Sequence, residues 1–276
     1  MARSCVPARR HLAPLLLLWL AAAPSALAEE SLEVLRVVGT EFHLETSSGR
    51  VLKSRDLVGA TLTVQQGAQT LLLRIDEARA DPRDSTGETW LHHFSVKDPG
   101  TGLWQPFCEA DAEGQRLGFP LVGTWDAALG ARRRSADTTF SLTCTSGAEG
   151  KCVRFGYKPW KKTARGVDLW DYHQACIRMV RGDYCGDGQG TTRTGTLVDV
   201  YDVLGIQKSE PRKGMRFEAA WGPDGALCVN HPRIPENVSL EKLRACPRLA
   251  KAVLGERCTQ ALFKGKKEAL LFNRSF

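Results

Sequence analysis

The sequence predicts an α+β fold in which β-strands dominate, and three observations support this. Residues 31–96 consist of short β-type runs divided by turn residues. A stretch from Asp168 to Gly182 has the spacing of an amphipathic helix. Eight of the nine cysteines lie after residue 100, as in domains braced by disulfides. We therefore expect a small N-terminal β module followed by a disulfide-braced domain with one well-defined helix and a second, kinked helical region.

Residues 1–28 are predicted to form a secretory signal peptide. It starts with the basic residues Arg3, Arg9 and Arg10, and an apolar stretch follows from Leu12 to Ala23. Ala26-Leu27-Ala28 then forms a small-x-small cleavage site. Cleavage after Ala28 removes Cys5 and leaves an even number of cysteines, which suits an oxidising compartment. We expect export through the general secretory route, to the periplasm or to the outside of the cell.

Size and charge limit the possible functions of the exported chain. Removing 28 of the 276 residues leaves 248, and the loss of three arginines lowers the formal net charge from +7 to +4. This mild basic excess makes a nucleic-acid partner an unfavoured interpretation. No later apolar run approaches the roughly 20 residues of a membrane helix, so we expect no transmembrane anchor.

Residues 29–100 are predicted to form the N-terminal β module. Its strand-like runs include Leu35–Val38 and Leu71–Ile75, and it has no cysteine and no helix of convincing length. The segment 98–102 combines one proline with two glycines, and all eight remaining cysteines follow it. We therefore place a domain boundary there, with the cysteine-rich domain at 101–276.

The helix in the second domain has recognisable ends. Asp168 can cap its start and Asp171 adds negative charge to its first turn. Arg178 and Arg181 suit its last turn, and Gly182 can take the left-handed conformation that ends it. Its apolar face is expected to contain Leu169, Trp170, His173, Cys176, Ile177 and Val180.

Two further elements follow this helix. The strands Phe217–Trp221 and Ala226–Val229 flank turn residues 222–225 and predict a β-hairpin. Residues 240–254 predict a helical region that Ser239 caps and that Pro247 kinks or restarts.

The cysteines of the exported chain are predicted to form four disulfides with no free thiol, involving Cys108, Cys144, Cys152, Cys176, Cys185, Cys228, Cys246 and Cys258. The turn-rich segment 145–151 favours a bridge between Cys144 and Cys152, and Cys246 with Cys258 is the next expected local pair. Long-range pairs that involve Cys108 and Cys228 stay unassigned, because eight cysteines allow many connectivities.

Three segments carry a family resemblance: residues 151–160 (KCVRFGYKPW), residues 172–188 (YHQACIRMVRGDYCGDG) and residues 217–225 (FEAAWGPDG). From about Trp104 to the C-terminus, the chain resembles ADYC-domain proteins, exported bacterial proteins named for an Ala-Asp-Tyr-Cys motif. Here the motif is Gly182-Asp183-Tyr184-Cys185, so its first position differs. The resemblance implies a bacterial exported protein and supplies no catalytic residues.

The motif itself is expected to act as a structural clasp. Gly182 reverses the chain after the helix, and this reversal can return Cys185 to Cys176 on the buried face. Tyr184 would then pack beside that bridge, with its hydroxyl on a polar partner.

The helix and the following loop also suggest chemistry. His173 with Asp183 or Asp187 could act as an acid–base pair in a secreted hydrolase. The sequence is partly similar to secreted calcium-dependent phospholipases, through His173-Gln-Ala-Cys176 and Tyr184-Cys-Gly-Asp-Gly188, although here the loop follows the helix. His173, Cys176 and Cys185 could also bind a metal, but a core histidine and bridged cysteines fit an exported chain better.

These considerations favour a non-enzymatic binding or structural domain of the cell envelope or secretome, and the His173 hydrolase is the alternative. We expect no cofactor and no metal, and the sequence leaves the partner open between an envelope component, a glycan and another exported protein. In the basic–aromatic segment 154–162, Tyr157 and Trp160 are expected to pack while the lysines stay solvated. Residues 132–134, three arginines, are also expected to be solvated.

Overall fold

The computed structural model describes residues 31–66 and 68–276, and the predicted signal peptide lies outside them. Strands dominate, which confirms the predicted class. The strands up to residue 144 are β1 Leu32–Val38, β2 Glu41–Thr46, β3 Val51–Lys53, β4 Thr61–Gln66, β5 Gln69–Ala80, β6 Trp90–Lys97, β7 Trp104–Pro106, β8 Leu117–Val122, β9 Thr124–Asp126, β10 Ala131–Arg133 and β11 Phe140–Cys144.

After β11 the chain forms helices and a second set of strands. They are α1 Ala148–Arg154, α2 Trp170–Arg181, β12 Asp199–Asp202, β13 Arg216–Gly222, β14 Gly225–Val229, α3 Leu240–Arg244 and β15 Leu271–Ser275. Short 3-10 helices occupy Ser54–Leu57 and Gln260–Phe263. None of the helices in the described ranges has the length and apolar character needed to cross a bilayer.

Two antiparallel sheets stack in the N-terminal half. One has the order β1-β2-β3, and the other has the order β11-β8-β6-β5-β4, with β7 also paired to β6. Alternating apolar residues face each other between the sheets, and Val37, Phe42, Leu73, Ile75 and Phe94 form the buried core there. The other face of the larger sheet packs on α1 through Phe119, Leu121 and Val153.

This larger sheet crosses the boundary that the sequence predicts at 98–102. That segment is the tight turn of the β6–β7 hairpin, in which the Gly102 amide donates to the Asp98 carbonyl at 2.8 Å. Beyond it, β8 pairs with β6, and β11 pairs with β8. A division between 29–100 and 101–276 would therefore separate strands of one sheet, because proline and glycine here mark a hairpin turn.

The second core lies between α2 and a four-stranded sheet of order β12-β15-β13-β14. The β13–β14 pair confirms the predicted hairpin. Helix α2 begins beside Asp168, whose Oδ1 accepts the Trp170 amide at 2.9 Å, and ends at Gly182 with φ of 63°. This agrees with the predicted helix, although residues 172–179 are buried all around rather than on one face.

The second helical region is shorter than predicted. Ser239 does cap α3, since its Oγ accepts the Lys242 amide at 3.2 Å, but the helix ends at Arg244. Residues 247–251 form turns. Pro247 lacks an amide hydrogen and disfavours the helical conformation at Cys246, so the helix stops rather than kinks.

All eight cysteines in the described residues are bridged, but the three pairs expected from local spacing are wrong. The bridges are Cys108–Cys144, Cys152–Cys176, Cys185–Cys246 and Cys228–Cys258. Residues 148–154 form α1 rather than a turn between strands, which places Cys152 against α2 and leaves Cys144 on β11 for Cys108. With Cys176 occupied, Cys185 bridges forward to Cys246, two residues beyond the end of α3.

Candidate functional site

The segment Gly182–Cys185 ties a loop to the end of α2. The Asp183 side chain is fully buried and accepts a hydrogen bond at 2.5 Å from Nη1 of Arg178, one turn back on the helix. It also accepts the amides of Gly186 at 2.9 Å and Gly188 at 3.0 Å. This one carboxylate therefore satisfies a buried cation and two loop amides, as a buried charge requires.

Tyr184 joins the same loop to the four-stranded sheet. Its ring stacks on Trp221 with centroids 5.2 Å apart, and its hydroxyl donates to Oε1 of Glu218 at 2.8 Å. Arg233 donates to the same oxygen from Nε at 3.0 Å and from Nη2 at 2.7 Å. Burial and the charge of Glu218 raise the pKa of Tyr184, so the phenol stays protonated. The Tyr184 ring lies beside Trp221 rather than beside a Cys176–Cys185 bridge.

The proposed acid–base residues do not meet as a pair. His173 is fully buried, and its Nε2 lies 3.3 Å from the carbonyl of Glu149 on α1. Burial and the nearby charge of Arg132 lower the pKa of His173 to about 3, so the ring is neutral at physiological pH. Asp183 is bound to Arg178, and Asp187 is exposed and accepts the Gln189 amide at 3.0 Å. No hydrogen bond or ion pair among the described residues joins His173 to either aspartate.

Two of the basic stretches are less solvated than the sequence suggests. Lys158 is buried, and its Nζ donates to Asp84 and Thr86, both at 2.7 Å. Arg132 is also buried, where it pairs with Glu149 and donates to the Val122 carbonyl at 2.8 Å. Both cations hold loops against the core, so their charge is not available to a ligand.

An open concave surface lies elsewhere, between the β1–β2 turn, the start of β6 and the start of α2. Two depressions of about 630 Å³ and 380 Å³ adjoin there, and both are lined by Val38, Gly39 and Trp160. Trp90 lines the larger depression and Trp170 the smaller one. We call this surface, defined by Trp90, Trp160 and Trp170, the tryptophan groove.

Trp160 lies at the junction of the two depressions and rests on a glycine. Gly39, in the β1–β2 turn, has φ of 64°, and a Cβ atom added there would lie 3.3 Å from Cε2 of the Trp160 ring. The turn requires a residue in the left-handed conformation, and the Trp160 ring leaves little room for a side chain at position 39. Gly39 therefore fixes the depth at which the Trp160 ring sits.

The other two rings lie next to arginines. The guanidinium carbon of Arg55 is 5.3 Å from the Trp90 ring centroid, and that of Arg134 is 4.3 Å from the Trp170 ring centroid. Arg134 also pairs with Asp168 at 2.7 Å. Stacked guanidinium groups orient an aromatic ring and still carry free N–H donors.

The rim of the larger depression carries charges of both signs in equal number. The anions are Glu41, Asp56 and Glu88, and the cations are Lys53, Arg55 and Lys161. His43 Nε2 lies 3.1 Å from Glu41 Oε2, and Lys161 Nζ donates to Glu88 Oε1 at 2.5 Å. This hydrogen bond from Lys161 lowers the pKa of Glu88, so the carboxylate is ionised. The groove thus offers aromatic faces and many hydrogen-bonding groups without a dominant charge.

The sequence profile of the ADYC domain matches residues 54–235, about two thirds of the chain. The chain belongs to the ADYC-domain family. Comparison with curated proteins and with solved structures gave no match. The ADYC match begins before Trp104, where the sequence resemblance was placed, and it includes strands on both sides of residue 100.

The three segments that carry the resemblance to ADYC-domain proteins meet in one buried core. This core contains Tyr157 from the first segment, Tyr172 and Tyr184 from the second and Trp221 from the third. All three tryptophans of the tryptophan groove lie within the ADYC match. Other residues of its wall, between positions 38 and 53, precede the match.

Sequence reasoning missed most of the groove. Helical spacing predicts Trp170 on the buried face of α2, and the basic–aromatic pattern predicts only packing for Trp160, whereas both are half-buried and line the groove. Trp90 and Gly39 were not singled out at all. The available signal was the set of seven tryptophans in the chain, since such large rings are rarely buried completely.

Proposed function

We propose that this disulfide-stabilised ADYC protein is an exported, non-enzymatic binding protein whose tryptophan groove binds an uncharged oligosaccharide. The observation that carries the proposal is the arrangement of three tryptophans along two adjoining depressions with a charge-balanced rim. The ligand class follows from the chemistry of that lining.

A pyranose ring has one or two faces of C–H groups and an edge of hydroxyls. Aromatic side chains pack against such apolar faces, and ionised or amide groups at the rim exchange hydrogen bonds with the hydroxyls. The rim of the larger depression has three anions and three cations, and Arg134 in the smaller depression is paired with Asp168. The groove therefore gives no strong net attraction to a charged ligand but supplies both hydrogen-bond donors and acceptors. Two depressions joined at Trp160 suit two or more sugar units rather than one.

Export is part of the same proposal. It is supported by the tripartite pattern in residues 1–28 and by four disulfides, which persist in oxidising compartments. N-terminal sequencing of material secreted from a bacterial host should begin at Glu29. Recovery of protein that still contains Cys5 would contradict this cleavage.

The hydrolase alternative has weaker support. Acid–base catalysis requires the catalytic group to reach the substrate, and His173 has no exposed surface. Its pKa of about 3 also lies far from the range in which a histidine exchanges protons near neutral pH. Unchanged binding in a His173→Gln variant that stays folded is the expected result.

The binding proposal is tested by titrating the protein with neutral oligosaccharides of glucose, mannose and N-acetylglucosamine, followed by tryptophan fluorescence and calorimetry. Trp160→Ala should weaken binding at least tenfold, since loss of one stacked aromatic contact costs about 1.5 kcal/mol. Trp104→Ala is the matched control, because Trp104 is also half-buried and lies 4.4 Å from the guanidinium carbon of Arg74, but it lines neither depression.

An equal loss of binding in Trp104→Ala and Trp160→Ala would assign the effect to stability and not to the groove. Absence of binding to every oligosaccharide tested would overturn the proposed ligand class.

A further inference from the structure

A second cleft, of about 380 Å³, lies between α1, the end of α2 and the loop that leads to β12. It shares no lining residue with the tryptophan groove. Four cations line it, Lys151, Arg181, Arg193 and Arg233, and its described lining contains no Asp or Glu. We call it the basic cleft.

The four cations differ in how far their charge is already neutralised. Arg233 is buried against Glu218, so it contributes little net charge. Arg193 lies 3.5 Å from Glu236, but both side chains are more than half exposed and such a pair is weak. The remaining two have no carboxylate partner among the ion pairs of the described residues.

Arg181 is held in place by contacts that leave its charge intact. Its Nη2 donates to the Gly188 carbonyl at 2.6 Å, and its guanidinium carbon lies 5.5 Å from the Trp125 ring centroid. Its Nε is buried and has no hydrogen-bond partner in the described part of the chain. A buried charged donor without a partner costs free energy of folding unless a ligand or a water molecule accepts its hydrogen bond.

The loop that closes the cleft is rich in hydroxyls and is fixed at its base. The amides of Thr191 and Thr192 both donate to the Arg181 carbonyl, at 3.0 Å and 3.2 Å. The Thr191 hydroxyl donates to the Gly182 carbonyl at 2.7 Å. Beyond this anchor, Thr192, Thr194 and Thr196 line the cleft.

We propose that the basic cleft is a binding site for a tetrahedral oxyanion, the phosphate or sulfate group of a ligand. Lys151 and Arg181 supply the uncompensated positive charge, and the threonine hydroxyls supply neutral donors around it. Arginine, lysine and hydroxyl groups are the donors that phosphate and sulfate oxygens accept in proteins. The described lining itself contains no carboxylate, and the two that adjoin it, Glu218 and Glu236, are each paired with an arginine of the cleft.

The site is tested by calorimetry on the full exported chain with three probes: inorganic phosphate, inorganic sulfate and a phosphorylated monosaccharide. Lys151→Gln should weaken phosphate binding about tenfold or more, because one charge-assisted hydrogen bond is lost. Lys264→Gln removes the same charge from an exposed position outside the cleft and should leave binding unchanged. The Lys151 side chain forms no hydrogen bond or ion pair with other described residues, and its backbone hydrogen bonds with Gly147 and Phe155 are kept in the variant, so the replacement leaves the fold intact.

Arg181→Gln should have an effect at least as large, and its melting temperature reports any damage to the end of α2. Tighter binding of the phosphorylated sugar than of inorganic phosphate would identify a group carried on a larger ligand, and equal binding would identify the free ion. The proposal is overturned if none of the probes binds, or if Lys264→Gln weakens binding as much as Lys151→Gln. Trp160→Ala should bind phosphate normally, so this test is independent of the groove.

Discussion

The segment 182–185, after which the family is named, and the surface that we propose binds a ligand are different regions of the molecule. Asp183 and Tyr184 are fully buried, and their side chains form hydrogen bonds with other residues of the protein, Asp183 with Arg178 and Tyr184 with Glu218. Trp90, Trp160 and Trp170 are half-buried, and part of each ring lines an open depression. A motif that identifies a family can therefore report how the chain folds without reporting what it binds.

The physical reason for this difference is the cost of an unpaired buried charge. Two buried ion pairs, Arg178 with Asp183 and Arg233 with Glu218, are stable in the protein interior only while both partners are present. A sequence that keeps such a network must keep several residue types together, which produces a recognisable motif. A half-exposed ring loses less stabilising free energy when its neighbours change, so the groove residues form a less recognisable sequence pattern.

The largest effect should come from the bridge that holds the motif loop. Replacement of both Cys185 and Cys246 by Ala opens a connection between residues 61 positions apart, and the unfolded chain then gains entropy worth on the order of 4 kcal/mol. Denaturant unfolding should show this loss, while the folded variant still binds oligosaccharide. Equal loss of binding and stability would mean that the two regions are not separate.

The next largest effect concerns the buried carboxylate beneath Tyr184. Glu218→Gln removes the charge that Arg233 requires and should destabilise the protein by about 3 kcal/mol. Glu236→Gln, on an exposed pair with Arg193, should cost less than about 0.5 kcal/mol. Similar losses in the two variants would show that the Glu218 network is not a dominant source of stability.

A smaller effect is expected from pH. The folded-state pKa of His173 is about 3 and the unfolded value is near 6.5, so below pH 6.5 the unfolded chain binds a proton that the folded chain does not. The stability from neutral His173 is thus complete above pH 6.5 and is lost as the pH falls toward 3, by about 2 kcal/mol at pH 5.

This pH effect is measured by comparing unfolding free energies at pH 7 and pH 5. The advantage of the wild type over His173→Gln should shrink by that amount at pH 5, since all other titrating groups are common to both proteins. An advantage that does not change with pH would mean that His173 is accessible and titrates normally.

The smallest effect on stability should accompany a large effect on binding. Gly39→Ala and Gly49→Ala each place a side chain at a positive φ, 64° and 79°, and each should cost about 1 kcal/mol. Only the Cβ at position 39 meets a ring, that of Trp160, whereas the Cβ at position 49 has no atom within 4 Å. Oligosaccharide binding should therefore fall in Gly39→Ala and stay unchanged in Gly49→Ala.

Much of the fold could be predicted because its signals are local. Asp168 and Gly182 mark the two ends of α2, and residues 222–225 mark the hairpin. The disulfide pairs could not be predicted, because Cys108, Cys185 and Cys246 meet their partners only through sheet and helix packing far along the chain. Helix α1 was missed because seven residues that contain Gly150 carry too little periodicity to identify.

The candidate site was less predictable than the fold. Its walls come from the β1–β2 turn, the start of β6, the segment after α1 and the start of α2. The stacking of the two N-terminal sheets and the packing of the larger sheet on α1 bring these segments together. No spacing rule connects Gly39 to Trp160. By contrast, burial of His173 was foreseeable from its place on the apolar face of α2.

The position of β15 has a consequence for the order in which the chain can fold. This strand is the last one in sequence, yet it lies between β12 and β13 and pairs with both. Whether the chain emerges from the ribosome or from the secretory channel, the N-terminal sheets emerge first, and they can pair before the C-terminal strand is available. The sheet beneath α2 cannot form in this order, because β12 and β13 keep unpaired edges until Leu271–Ser275 pairs between them. A chain stalled or cut before Leu271 should therefore keep its first half folded and expose strand edges in its second.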